Sequence, residues 1–313
     1  MTHFTQHNVT VDRFPVIVTS GDIEQLLGVP PIEVGTGRQQ TAGIYELLND
    51  WALADKVKAL CCDTTASNTG HLKGACIILE QMLERDLLYL PCRHHIFEII
   101  LRSIFDEKIF LLSTGLNITI FKRFQQSWSQ IGQTKFKPGI KDAKINESLK
   151  NDLGEILDFV KSNLVEQQPR EDYRELLELI MIFLGDIPPR GIFFRVPGAI
   201  HHARWMAKAI HSLKMFLFRD EFKLTAKERS AFSDICLFIV STYVQAWFCA
   251  PLAVEAPNHD LQFLKKLVRY QTVDSAISRV ALRKFINHLW YLSPEALRLR
   301  SLIRKCPQIR KRR

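Results

Sequence analysis

The chain has 313 residues, 47% hydrophobic and 24% charged. That composition excludes a disordered, collagenous or disulfide-scaffold protein and supplies apolar material for one large or two modest cores. Its net charge of +9 suggests a nucleic-acid footprint, but residues 298–313 hold eight cations (Arg298, Arg300, Arg304, Lys305, Arg310, Lys311, Arg312 and Arg313) and no acid, leaving +1 for residues 1–297.

From the amino terminus, residues 11–19 read as a strand, with Val16, Ile17 and Val18 following a proline that a central strand position would not tolerate. Residues 20–37 hold a short apolar patch at 23–29, then Pro30, Pro31, Gly35 and Gly37, and read as a loop or a third short strand. Thr41 is a plausible helix cap, since its hydroxyl can take up an orphan N–H, and Ile44, Leu47, Leu48 and Trp51 give the helix an apolar face to about residue 53. Residues 57–62 then read as a strand buried on both faces, with Asp63 at its end.

The stretch TTASNTG, residues 64–70, is turn chemistry, because small hydroxyl and amide side chains bond local backbone and glycine adopts positive φ. Residues 72–83 carry Leu72, Ala75, Cys76, Leu79, Met82 and Leu83 at helical spacing, and 86–90 read as a second buried strand. This is a strand, helix, strand unit with a carboxylate at its edge. Ligands of open α/β sheets gather at the carboxyl ends of the strands, so Asp63 is placed to hold a metal; the alternative is that it caps the turn through its own side chain. The second strand runs into Pro91-Cys92-Arg93-His94-His95. Cys92 and His95 have the spacing of half a zinc site, but no second pair follows at ligand spacing, which favours a buried thiol beside a hydrogen-bonded histidine.

The run DTTASN and, some thirty residues on, CRHH resemble the RNase H-like catalytic core of hAT superfamily DNA transposases. The likeness extends to VDRFPVIVTSG, GAIHHARWMAKAIHSLK and HLWYLS. The resemblance implies an α/β plus α chain, with a partial RNase H-like core over residues 1–108, a helical insertion domain with return helices over 109–292 and a basic tail over 293–313. It implies that Asp63 is a catalytic metal ligand for Mg²⁺ or Mn²⁺, that Cys92 and His95 form the family's Cys-x-x-His motif, and that Glu295 stands in the region of the last catalytic carboxylate. The family's first catalytic Asp lies on a strand upstream of the one that residues 11–19 resemble. Here the first acid is Asp12, at the mouth of that strand, so the first carboxylate is missing from the pattern.

Past residue 105 the chain becomes helix upon helix. Arg195, His201, His202, Arg204, Lys208 and Lys214 are interleaved with Phe193, Phe194, Trp205 and Phe216, which suits phosphate contact and base stacking or, alternatively, an amphipathic face with solvated lysines. Adjacent His201 and His202 would point about 100° apart on a helix, which argues against a shared ion. Residues 235–254 lack any formal charge and are long enough to span a bilayer, but a helix apolar all round also forms the centre of a helical domain, and no membrane is expected.

The basic tail, with Arg310, Lys311, Arg312 and Arg313 at its end, is a nuclear-import signal, a phosphate-contacting arm or a solvated end. The seven cysteines are an odd number lying mostly in apolar runs, and no secretory pattern opens the chain. Both features predict reduced thiols in an intracellular protein, here a nuclear one. With one carboxylate recognisable, the expected function is that of a catalytically inactive transposase derivative that binds DNA through Arg204, Lys208, Lys214 and the tail, with a second copy of the chain as a further partner. The alternatives are an active metal-dependent transposase and a helical membrane-associated protein.

Overall fold

Alternation of half-buried and exposed residues along 16–20 fits a hairpin with one face on a core, and the computed structural model contains that hairpin. The structure describes residues 12–21, 23–70, 72–109, 118–198, 206–251 and 255–288. Of these, 62% are helical and 9% lie in strands. The chain divides into two units, with the boundary at His95/Ile96.

In the first unit, strands β1 (Asp12–Arg13), β2 (Val16–Ser20), β3 (Ile23–Gly28) and β4 (Pro31–Ile32) form two antiparallel pairs, β1 with β4 and β2 with β3. Asp12 faces Ile32 and Val16 faces Gly28, after which the register shifts so that Ile17 faces Leu26 and Ser20 faces Ile23. The extra residue at the shift is Leu27. It turns into the core, while Gly21, at φ 58°, closes the two-residue turn.

Helix α1 (Gly37–Asp50) is capped by Thr36, whose side chain accepts from the Gln39 N–H. Thr41 is therefore not the cap. It is buried one turn into the helix, and its hydroxyl reaches the carbonyls of Gly37 at 2.8 Å and Ala75 at 3.1 Å, tying α1 to the next helix. Strand β5 (Ala59–Cys62), the helical turn α2 (Ala66–Thr69), helix α3 (Ala75–Met82) and strand β6 (Leu88–Pro91) complete the unit. Strands β5 and β6 are parallel, pairing Ala59 with Leu88 and Cys62 with Pro91.

The core joins Leu27, Leu48, Leu79 and Leu87, with Val16, Val18, Ile44 and Leu60 packed against them. Leu72, expected on the apolar face of the helix, is 86% exposed because α3 begins after it. Strand β5 is half-buried rather than buried on both faces, and Cys61 is exposed.

The unit boundary falls inside helix α4 (Arg93–Ile109), earlier than the residue 108 expected from the change of character along the sequence. The reason is aromatic. Phe97 packs against Phe263 and Phe285 with centroids 5.3 and 6.1 Å away, and Phe105 packs against Phe121 and Phe232 at 5.2 and 6.0 Å, so α4 belongs to the helical core from Ile96 onward.

That second unit holds α5 (Thr119–Ser127), α6 (Ala143–Leu149), α7 (Leu153–Val165), α8 (Glu171–Phe183), α9 (Ala207–Leu217), α10 (Ala226–Phe238), α11 (Val244–Cys249), α12 (Ala256–Arg269) and α13 (Ser275–Ile286). A π-helical turn, Ile239–Tyr243, joins α10 to α11, making one continuous helix from Ala226 to Cys249 that is long and apolar enough to cross a membrane. Its most apolar window is 78% buried among the other helices, which is the environment of a core helix. Thr225 and Glu228 close its start as a capping box. Lys108 bridges Asp234, at 2.8 Å, and Asp274, and Lys144 adds a second bond to Asp234, tying α4, α6, α10 and the cap of α13 together.

Candidate functional site

The parallel pair β5 and β6 brings Asp63, Cys62, Tyr89 and Cys92 to one end of the small sheet. Strand β5 stops at Cys62 because Asp63 turns the chain. Its Oδ1 accepts from the Thr65 N–H at 2.9 Å, the Thr65 hydroxyl at 2.5 Å and the Asn68 amide at 2.7 Å. Ser67 continues the chain of hydroxyls, 3.1 Å from Thr65. Each donor comes from the TTASN run, so the small polar residues read as turn chemistry saturate one oxygen of the carboxylate next to them. Burial pushes the Asp63 carboxyl up, but the bonds from Thr65 and Asn68 and the charge of His95 outweigh it and hold the group below the usual carboxylate range.

Gly37 and Gly74 let neighbouring backbone close around this turn. A Cβ on Gly37 would lie 2.3 Å from the Lys73 carbonyl and 2.7 Å from that of Ser67, and one on Gly74 would lie 2.4 Å from the Gly70 nitrogen.

At the end of β6 the Cys92 N–H extends the ladder, donating to the Cys62 carbonyl at 2.8 Å. Burial raises the Cys92 thiol, and the backbone N–H groups of His95 and His94 pull it partly back. Cys92 immediately precedes α4, where the N–H groups of His94 and His95 in the first turn favour its thiolate. On the other face of β5, Cys61 is exposed at its residue surface, yet partial desolvation of its thiol, and then Cys92, push it up to about 11. Cys62 lies with its Sγ 3.6 Å from that of Cys76, a contact the sequence reading did not anticipate. Its one sequence signal is a cysteine at the end of a strand and another in the first turn of the following helix.

The donor set does not suit Mg²⁺ or Mn²⁺. Those ions take oxygen ligands, and Asp63 Oδ1 is engaged by three hydrogen-bond donors of its own turn, with His95 and the thiols of Cys62 and Cys92 as its electrostatic neighbours. Among the described residues no group of three His, Cys, Asp or Glu side chains could hold a metal ion. Glu295, expected as the last catalytic carboxylate, lies outside the described residues, as do Arg204, Arg310, Lys311, Arg312 and Arg313.

Of the cations expected to meet nucleic acid, two are described, and both sit in helix α9. Lys214 is 1% exposed, pairs with Glu175 and donates to the Arg195 carbonyl at 2.8 Å, with Nζ 5.8 Å from the centroid of the Trp128 ring. Its assignment to a nucleic-acid surface is corrected, because the ammonium is used inside the helical unit. Lys208 is half-buried; desolvation lowers its pKa, and Glu98 opposes that. Glu98 is itself a half-buried carboxylate raised by desolvation, and it accepts from the Met206 N–H at 2.7 Å and the Tyr243 hydroxyl at 2.9 Å.

Comparison with family models, with curated proteins and with solved structures finds no match to this chain.

Proposed function

We propose that the chain is a transposase-derived protein that keeps an RNase H-like scaffold of the hAT kind without its strand-transfer chemistry, and that it binds nucleic acid weakly and without sequence preference in the nucleus. The observation that carries this reading is the state of Asp63. It follows a parallel strand at the edge where an α/β unit holds its ligand, yet its Oδ1 is taken by three donors of its own turn. In-line phosphoryl chemistry by the two-ion route needs carboxylates that bridge and flank the ions. A lone carboxylate already saturated on one oxygen supplies a fold contact instead.

Nucleic-acid contact in this reading rests on charge. Lys214 is withdrawn from solvent, and eight of the nine net positive charges lie in residues 298–313. Each phosphate neutralised adds about 0.9 to the slope of log K against log salt. Binding of a fluorescent duplex, measured over a salt series for the full chain and for a chain ending at Leu297, tests the proposal. The full chain is expected to bind unrelated sequences alike, and the truncation to flatten the slope by several units. Sequence-selective binding that survives truncation with its slope intact would move the interface to the helical unit and remove the basis of the proposal.

A further inference from the structure

We infer that Cys62 and Cys76 form a dithiol that peroxide closes to a disulfide, tethering helix α3 to strand β5 around the Asp63 turn. Cys62 is the last residue of β5 and Cys76 the second of α3, and their sulfurs are 3.6 Å apart. A disulfide needs about 2.05 Å, so closure asks for a shift of about 1.5 Å, within the reach of side-chain rotation.

The surrounding structure holds the pair in register. The Thr41 hydroxyl fixes the Ala75 carbonyl, the Gly74 N–H donates to Gly70 at 2.8 Å, and the β5–β6 ladder fixes Cys62 opposite Pro91. Both thiols are half-buried, so a molecule as small as peroxide can reach them, whereas Cys236 is sealed in the helical core.

The two sulfurs have different roles. Cys76 sits in the first turn of α3, where the helix dipole and unpaired N–H groups favour a thiolate. Either thiol can donate across the 3.6 Å contact, which draws the Cys76 thiol down against burial and the charge of Glu80. The same contact pushes Cys62 up, with burial, Cys61 and Asp63 adding to the effect. Cys61, Cys92 and Cys236 are also pushed up.

The Cys76 thiolate attacks one peroxide oxygen, the O–O bond breaks, and hydroxide leaves with the electron pair, giving a sulfenic acid on Cys76. The Cys62 sulfur, giving up its proton, then attacks the Cys76 sulfur, the S–O bond breaks and water leaves. Two thiols and one peroxide become one disulfide and two waters. Cys61 faces the opposite side of β5 from Cys62 and is not placed to take part. Closure makes residues 62–76 a covalent loop that contains the whole Asp63 turn. This inference does not depend on the proposed function.

The test uses the full reduced chain, treated with hydrogen peroxide at neutral pH, alkylated with N-ethylmaleimide and digested with trypsin without reduction. Cleavage after Lys58, Lys73, Arg85 and Arg93 separates Cys61 and Cys62 from Cys76 and from Cys92. The expected product is peptide 59–73 joined to peptide 74–85, with Cys61 alkylated on fragmentation and the link retained in Cys61→Ser. In Cys62→Ser the link is lost and dimedone labelling of Cys76 rises several-fold. If Cys62→Ser does not fold by far-UV circular dichroism, Cys61→Ser and the wild-type fragmentation decide the matter. A principal link from 59–73 to 86–93, or Cys76 still fully alkylated when Cys61 has been oxidised, overturns the inference.

Discussion

His211 gives the helical unit a built-in sensitivity to mild acid. The residue is 2% exposed, Nδ1 lies 2.9 Å from the Ala207 carbonyl, and the centroid of the Phe121 ring lies 5.3 Å from that of the imidazole, the two rings tilted by 39°. Burial, and then the neighbouring Lys214 charge, push it down from 6.5 to about 4, while the carbonyls of Ala207 and Gly198 pull the other way. A histidine depressed in the native state binds fewer protons there than in the unfolded chain. Stability is therefore complete above the unfolded value and drains away as pH falls from about 6.5 toward about 4.

Integrated from about pH 7 to about pH 5, that shift removes roughly 2 kcal/mol. The carboxylates Asp63 and Asp274, held low, act at lower pH, whereas burial pushes Glu98 and Glu178 up, so the imidazole's share is read from the difference between the wild type and a variant that lacks it. Urea titrations of the wild type and His211→Gln at both pH values, followed by tryptophan fluorescence, are expected to show the wild type losing roughly 2 kcal/mol more than the variant. Equal losses in the two proteins, or a native His211 ring titrating near 6.5 by NMR, would refute the reasoning.

Replacing Lys214 by Met strands the Glu175 carboxylate, whose side chain is 15% exposed, and is expected to destabilise the chain by about 2–4 kcal/mol in thermal or urea unfolding. DNA affinity at fixed salt should change by less than about twofold, since each rim phosphate contact adds about 0.9 to a salt slope and this ammonium makes none. Asp63→Ala removes the acceptor of three hydrogen bonds and should cost about 1–3 kcal/mol, with faster proteolysis of residues 64–74; a variant as stable as the wild type would mean that the turn does not depend on the carboxylate. Gly37→Ala places a Cβ 2.3 Å from the Lys73 carbonyl and should destabilise the first unit by about 1–3 kcal/mol, read as a fall in its amide protection.

Local pattern made the first strand, the β5–α3–β6 order and the position of Asp63 legible, because β-rich apolar runs, turn residues and helical spacing are properties of short windows; the pairing of β2 with β3 was not legible, residues 20–37 reading equally as a loop. What windows could not carry was contact between distant residues. Thr41 looked able to cap α1. Thr36 does so, because Thr41 has a better use for its hydroxyl on α3. Lys214 looked like surface charge because its carboxylate partner, Glu175, and its carbonyl partner, Arg195, lie far away in sequence. Leu27 gave no sign of being a bulge, since the register depends on which residue the core needs to bury. At the site, DTTASN could be read as a ligand or as a turn. The three bonds to Oδ1 show the turn, while the Cys62–Cys76 contact needed two elements brought together.

The central claim is that Asp63 holds a turn and does not drive strand cleavage. It is tested most directly by incubating purified chain with supercoiled plasmid in Mg²⁺ and in Mn²⁺, beside Asp63→Ala prepared in the same way. The account predicts no nicking above background from either protein with either ion. Metal-dependent conversion to open circle by the wild type, abolished in Asp63→Ala while that variant remains folded, would contradict it.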